Sequence, residues 1–269
     1  LTRSSAASDV YKRQALEFTT TGTQNVAIGH QALEANTTAD SNVAIGNAAM
    51  VSNTTGTLNV AIGLQALDAN TTGSQSIAIG AQALGAQNAD VKNIAVGYRA
   101  LQALTGGNGN IGVGRDVLYS LTTGDGNVAI GNDALGSNTT ASNNTAVGKN
   151  ALAANTTGTN NVAVGYQALD ANTTASNNTA IGHGSLTSAT TATENTAVGR
   201  ASMTNTTTGG YNVAVGSGTL YTNVSGANNT AVGRDALLMS TASNNTALGF
   251  HALTANTTGA QNAAICLLY

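Results

Sequence analysis

The chain has 269 residues, a formal net charge of −3, 8% charged and 3% aromatic residues, no Pro and no Trp. That balance excludes a basic nucleic-acid groove, which needs clustered Lys and Arg, and so few large side chains exclude a thick globular core. No apolar run approaches the roughly 20 residues of a membrane-spanning helix, and the single Cys266 excludes an internal disulfide framework.

In chain order, the first segment stands apart. Ser4 to Gln14 (SSAASDVYKRQ) and Cys266 to Tyr269 (CLLY) resemble translated adapter read-through. Residues 1–14 and 266–269 are therefore expected to be non-native flanks. Residues 15–265 are then expected to form one repeat domain, itself a fragment of a longer protein. Ala15 and Leu16 already keep the register of the repeats C-terminal to them.

From Gly29 a glycine recurs every 17 residues through Gly46, Gly63 and onward to Gly233, and a one-residue deletion brings the last to Gly249. A fixed short period means one supersecondary unit stacked on its neighbours. The fold class expected is all-β: a parallel β-solenoid, or β-roll, of about fourteen 17-residue coils. We number each coil from the residue opening its block, so that coil 1 starts at Asn25 and glycine is position 5. Position 1 is Asn in every coil except at Ser76, position 2 is mostly Val, Ile or Thr, and position 3 is Ala except at Gly112. Position 4 is Ile, Val or Leu, and position 9 is Leu except at Met50 and Met203. Asn-Thr-Thr-Gly or a relative comes next, as at Asn36, Asn70 and Asn155.

Positions 1 to 5 read as a short strand, and the Gly and Asn punctuation leaves no room for a stable helix. A second strand is expected at positions 7 to 10. The Asn-Thr-Thr-Gly segment is expected to form the turn, with Gly or Asn supplying positive φ. Alternation places positions 2 and 4 on one face and 3 and 5 on the other. Position 3 is held to Ala or Gly, which suggests close approach of another backbone. The expectation is a strand buried inside the coil on one face, with its small-residue face against a neighbouring chain, hence a homo-oligomer. The Asn column is expected to hydrogen-bond from coil to coil. At ~4.8 Å per coil the rod is roughly 65 Å long.

The block Asn25–Gly29, repeated at Asn59–Gly63 and Asn127–Gly131, resembles the head repeats of trimeric autotransporter adhesins. The longer unit from Asn160 to Leu169, continued by Asn172-Thr173-Thr174, is also similar to repeats of phage tail-fibre proteins. The resemblance spans about residues 15–265 and implies a left-handed β-roll assembled as a homotrimer. It also implies an extracellular place, on a bacterial surface or a virion tail fibre.

Catalytic chemistry is sparse. Gly107-x-Gly109-x-x-Gly112 matches a dinucleotide fingerprint but precedes no helical pattern. His30 and His183 lie nine coils apart and cannot share a metal, and they read, with His251, as surface residues. Asp116 and Asp133 stack one coil apart at position 7. Such a pair suits glycoside hydrolysis or a cation, but a solvated turn pair is the reading adopted. The Asn-x-Thr sequons read as turn chemistry. No enzyme activity, cofactor or metal is expected. The remaining candidate is position 6, which reads Arg115, Asn132, Lys149, Tyr166, His183, Arg200, Ser217 and Arg234 through successive coils. This partly cationic stripe is the candidate ligand surface, for a host glycan or matrix protein. The functional expectation is a non-enzymatic structural and adhesive segment giving reach and multivalent display. The alternatives are an ice-binding, water-ordering solenoid and, third, a solenoid enzyme.

Overall fold

The computed structural model describes residues 14–88 and 92–266, so the expected flanks at residues 1–13 and 267–269 lie outside it. Each coil contributes one three-residue strand, from β1 (Val26–Ile28) to β15 (Ala263–Ile265). The fifteen strands form a single parallel sheet in chain order. The register aligns like with like: Ala27 pairs with Ala44, and Ala163 with Ala180. The protein is thus a parallel β-solenoid with a 17-residue repeat, as the glycine register predicts.

Pairing continues around the coil beyond the strand. Leu67 N–H donates to the Ala83 carbonyl and Thr54 N–H to that of Thr71, one coil ahead, while Gln65 N–H donates back to Asn47. Nearly every segment of a coil therefore satisfies its backbone through its neighbours. Position 5 must be glycine for two reasons. At Gly148 φ is +135°, and an added Cβ would lie 2.5 Å from the Gly165 carbonyl oxygen.

Three expectations are corrected. First, the strand faces are exchanged. Position 3 points into the coil: Ala44, Ala61 and Ala163 are fully buried, whereas positions 2 and 4 are partly exposed. The interior already holds a Leu or Met at position 9 of each coil, and only a small residue fits opposite it. At Gly112 an added Cβ would come within 3.1 Å of both Leu101 Cδ1 and Val117 Cγ1. The close neighbour is the coil's own core, not another chain.

Second, positions 7 to 10 are a turn rather than a strand. Positions 7 and 9 lie in the left-handed region, as at Gln167 (φ 52°) and Leu169 (φ 54°). A non-glycine residue there costs about 1 kcal/mol or more. The kink aims the Leu into the core, and its complete burial contributes about 2 kcal/mol. Third, the turn glycine at position 15 has no positive φ. That role falls to position 17, through residues such as Asn143 (φ 61°), Asn160 (φ 59°) and Gly109 (φ 70°).

The Asn column forms as expected. Asn42 Nδ2 donates to the Gly56 carbonyl across its own coil, and Asn42 Oδ1 accepts the Asn59 N–H. The position 12 asparagines make a second ladder, as in Asn172 Nδ2 to Asn155 Oδ1 at 2.8 Å. Where Ser76 replaces Asn at position 1, position 12 of that coil is Gln87. Its longer side chain donates to Ser76 Oγ and accepts from Asn93 Nδ2, while Ser76 Oγ accepts the Asn93 N–H.

Candidate functional surface

Because the glycines at position 5 stack directly, position 6 becomes an outward edge of the solenoid. Arg115, Lys149, Tyr166, His183, Arg200 and Arg234 are exposed along it, and Asn132 is half-buried. The edge is less cationic than its sequence suggests. Arg115 Nε pairs with Asp116 at 2.9 Å and Arg234 Nε with Asp235 at 3.0 Å. Asn132 Nδ2 donates to Asp133, and Tyr166 stacks on His183 at 5.3 Å between ring centroids. Lys149 and Arg200 alone among these cations have no carboxylate partner among the described residues. His251 meets Asp235 at 3.4 Å and packs on Phe250. His30 stands exposed in coil 1, far from His183, and no group of three metal-binding side chains occurs among the described residues.

The neighbouring edge, at positions 7 and 10, is more organised than the sequence suggested. Asp116 and Asp133 are not a bare acid pair. Asp116 also accepts from Arg99 Nε at 2.7 Å, and that hydrogen bond pushes the Arg99 guanidinium above its usual pKa. Arg99 lies between two aromatic rings, 4.9 Å from the Tyr98 centroid and 4.8 Å from that of Tyr119. Beside this cluster runs an open groove of about 370 Å³, lined by Arg99, Asp116, Tyr119, Asp133, Gly136 and Ala153 among others. A smaller groove of about 240 Å³ lies at Gln65, Asp68, Gln82, Gly85 and Gln102. Burial raises the pKa of Asp68 there, as it does that of Asp170 in a later coil. Asp40 moves the other way, because the Thr23 N–H and hydroxyl both donate to its carboxylate.

Sequence reasoning singled out Asp116 and Asp133 but missed Arg99, Tyr98 and Tyr119. The signal was present in the register: Arg99 stands 17 residues before Asp116, and Tyr119 stands 17 before Gly136. The Gly107–Gly112 fingerprint spans a coil boundary and ends in the strand Ile111–Val113, not in a helix, so it lacks the geometry of a phosphate cradle.

Fold and surface together define a parallel β-solenoid with two patterned outer edges. Comparison of the chain with protein-family models, with curated proteins and with solved structures gave no match.

Proposed function

We propose that this chain is a non-enzymatic structural and adhesive segment that assembles as a homotrimer and displays its outer edges repeatedly along a rod, as in a surface adhesin or a tail fibre. The observation that supports it most is the outward face of the sheet. Positions 2 and 4 carry Val, Ile or Thr along the rod, except at Leu248 and Ala263, and stay partly open, with Ile130 42% and Val213 39% exposed. A continuous β-branched strip of this kind on a chain with so few charges is what a subunit interface covers. The partner argument thus moves from position 3 to positions 2 and 4. Repetition of the edge through three chains raises avidity without any strong single site.

Sedimentation equilibrium of the full chain tests the assembly. The wild type is expected to sediment as a trimer and the Ile79→Lys, Ile130→Lys, Ile181→Lys variant as a monomer. A wild type that stays monomeric at tens of micromolar overturns the assembly. For the position 6 edge, changing Arg115, Lys149 and Arg200 to Ala is expected to abolish binding in a glycan and matrix-protein screen. Unchanged binding would discard that edge.

One observation favours the water-ordering alternative. Threonine recurs at position 14, exposed at Thr140, Thr157, Thr174, Thr191 and Thr208, with hydroxyls that find no acceptor among the described residues. The column is a single file broken at Ala89, Gly106 and Ser225 and absent from the shortened coil 13, and the adjacent hydroxyls are occupied, as in Thr156 Oγ1 to the Thr173 carbonyl. Thermal hysteresis at millimolar protein would raise this reading above the first.

A further inference from the structure

We propose that the groove at Gly136 is a subsite for a neutral pyranose, so that a linear neutral polysaccharide lying along this edge would reach the second groove at Gly85. This deepens the display half of the reading above and is independent of the assembly half.

Position 10 carries a side chain in nearly every coil, including Glu34, Gln102, Tyr119, Tyr221 and Leu238. Only Gly85 and Gly136 leave it empty. The two grooves described above lie at these two glycines. Neither glycine has a positive φ, so the backbone conformation does not require them. What they provide is space.

At Gly136 that space has one aromatic wall. Arg99 covers the Tyr119 ring from the preceding coil, while Gly136 and then Ala153 leave the following side clear. Tyr119 is 37% exposed. A ring held from behind by a guanidinium presents a flat apolar face with little further loss of freedom.

The polar groups around it are fixed and balanced. Two arginines orient Asp116. Asn132 holds one oxygen of Asp133 at 2.6 Å, and the other oxygen has no donor among the described residues. Arg99 uses Nε on Asp116 and keeps its terminal N–H groups as donors. Two carboxylates against Arg99 and Arg115 cancel, so neither an anion nor a cation is favoured by net charge. A neutral ligand with one apolar face and hydroxyls on its rim matches a ring beside fixed acceptors and donors. A pyranose has that shape. The Gly85 groove offers amides instead, from Gln65, Gln82 and Gln102 around Asp68, and has no aromatic ring in its lining. It stands three coils away, roughly 14 Å at the parallel-strand spacing, a separation that a few linked sugars span.

The test titrates the full chain with maltohexaose, cellohexaose and mannohexaose, following tyrosine ring signals by NMR and heat by calorimetry. At least one hexaose is expected to bind and to shift the Tyr119 ring. Gly136→Leu is expected to weaken that binding about tenfold or more, through loss of the ring contact and its space. Leu238 occupies the same position in another coil, so the variant suits the fold. Tyr119→Thr, matching Thr187 and Thr204, gives a second probe and is expected to weaken binding similarly. Gly85→Leu is expected to weaken the hexaose but not the disaccharide of the same series. The proposal is overturned if no hexaose binds, or if Gly136→Leu and Tyr119→Thr, both folded by circular dichroism, bind as the wild type does. Sedimentation of the same samples reports assembly separately, so a failed trimer and a failed sugar site are told apart.

Discussion

Coils 5 and 6, opening at Asn93 and Asn110, and coils 10 and 11, opening at Asn178 and Asn195, have all lost the asparagine at position 12, in different ways. The first pair substitutes Leu104 and Leu121, both fully buried. The second pair substitutes Ala189 and Thr206 and places hydroxyls at position 8. There Ser185 Oγ donates to the Ala197 carbonyl and Ser202 Oγ to that of Ala214, and Thr219 in coil 12 lies 2.8 Å from Ser202. One stretch of core is drier than the repeat average and the other wetter, yet the strand register is the same in both. The reason is redundancy. In coils 1 to 13, apart from coil 4 where Ser76 has no amide, the carbonyl at position 15 receives an amide from position 1 whether or not position 12 supplies another; in coil 14 Asn256 serves Gly259 instead. Asn110 serves Gly124 and Asn178 serves Ala192 where position 12 offers nothing, whereas Ala175 accepts from both Asn161 and Asn172. Position 1 is the usual bond and position 12 the spare, which is why one column hardly varies and the other does.

The largest expected effect breaks that bond where no spare exists. Asn110→Ala leaves the Gly124 carbonyl and the Asn127 N–H without their side-chain partners, at about 3 kcal/mol or more. Asn161→Ala, where Asn172 still serves the carbonyl, is expected to cost roughly 1 kcal/mol less, and Asn155→Leu, which copies Leu104, less than ~1 kcal/mol. Urea unfolding of the three variants side by side ranks them, and equal costs for Asn110→Ala and Asn155→Leu would dismiss the redundancy.

A smaller effect concerns volume. Coil 6 combines the only Gly at position 3 with the only Val at position 8, Gly112 and Val117. Gly112→Ala alone overpacks the core and is expected to cost about 1–3 kcal/mol. Adding Val117→Ala restores the ordinary coil, and the double-mutant cycle should show coupling of about 1 kcal/mol. Additive costs would show that the two changes are unrelated.

In the wetter stretch, Ser202→Ala removes a donor and a partner of Thr219 at about 1 kcal/mol, while changing Ser185, Ser202 and Thr219 together to Ala is expected to be close to neutral. Thermal melts of the single and triple variants test this ordering.

The smallest effect is electrostatic. Burial raises the Asp68 pKa above its ordinary 3.8, so the folded state holds that proton more tightly and stability falls as pH rises through the raised value. Asp68→Asn removes the penalty. It is expected to stabilise by a few tenths of a kcal/mol at pH 7, reduced by the group's partial exposure, with the gain vanishing below the ordinary carboxylate pKa. A gain that persists at pH 3 would assign the effect to packing instead.

Much of the fold was legible in the residues alone. Stacked identical units force identical side chains into columns, so a 17-residue period in Gly and Asn was enough to place the strand and the Asn ladder. The groove was less legible, because Arg99, Asp116, Tyr119 and Gly136 look unrelated until the register is read across positions 7 and 10 together.

What the sequence by itself determined is therefore the repeat and its parallel stacking, since no other arrangement satisfies so regular a backbone with so few large side chains. What only the tertiary structure decided is direction: which strand face looks inward, which residues adopt positive φ, and where the edge opens into a groove. Alternation is symmetric between the two faces of a strand. The symmetry breaks only when the leucine at position 9, swung inward through a left-handed turn, leaves room for nothing larger than alanine opposite it.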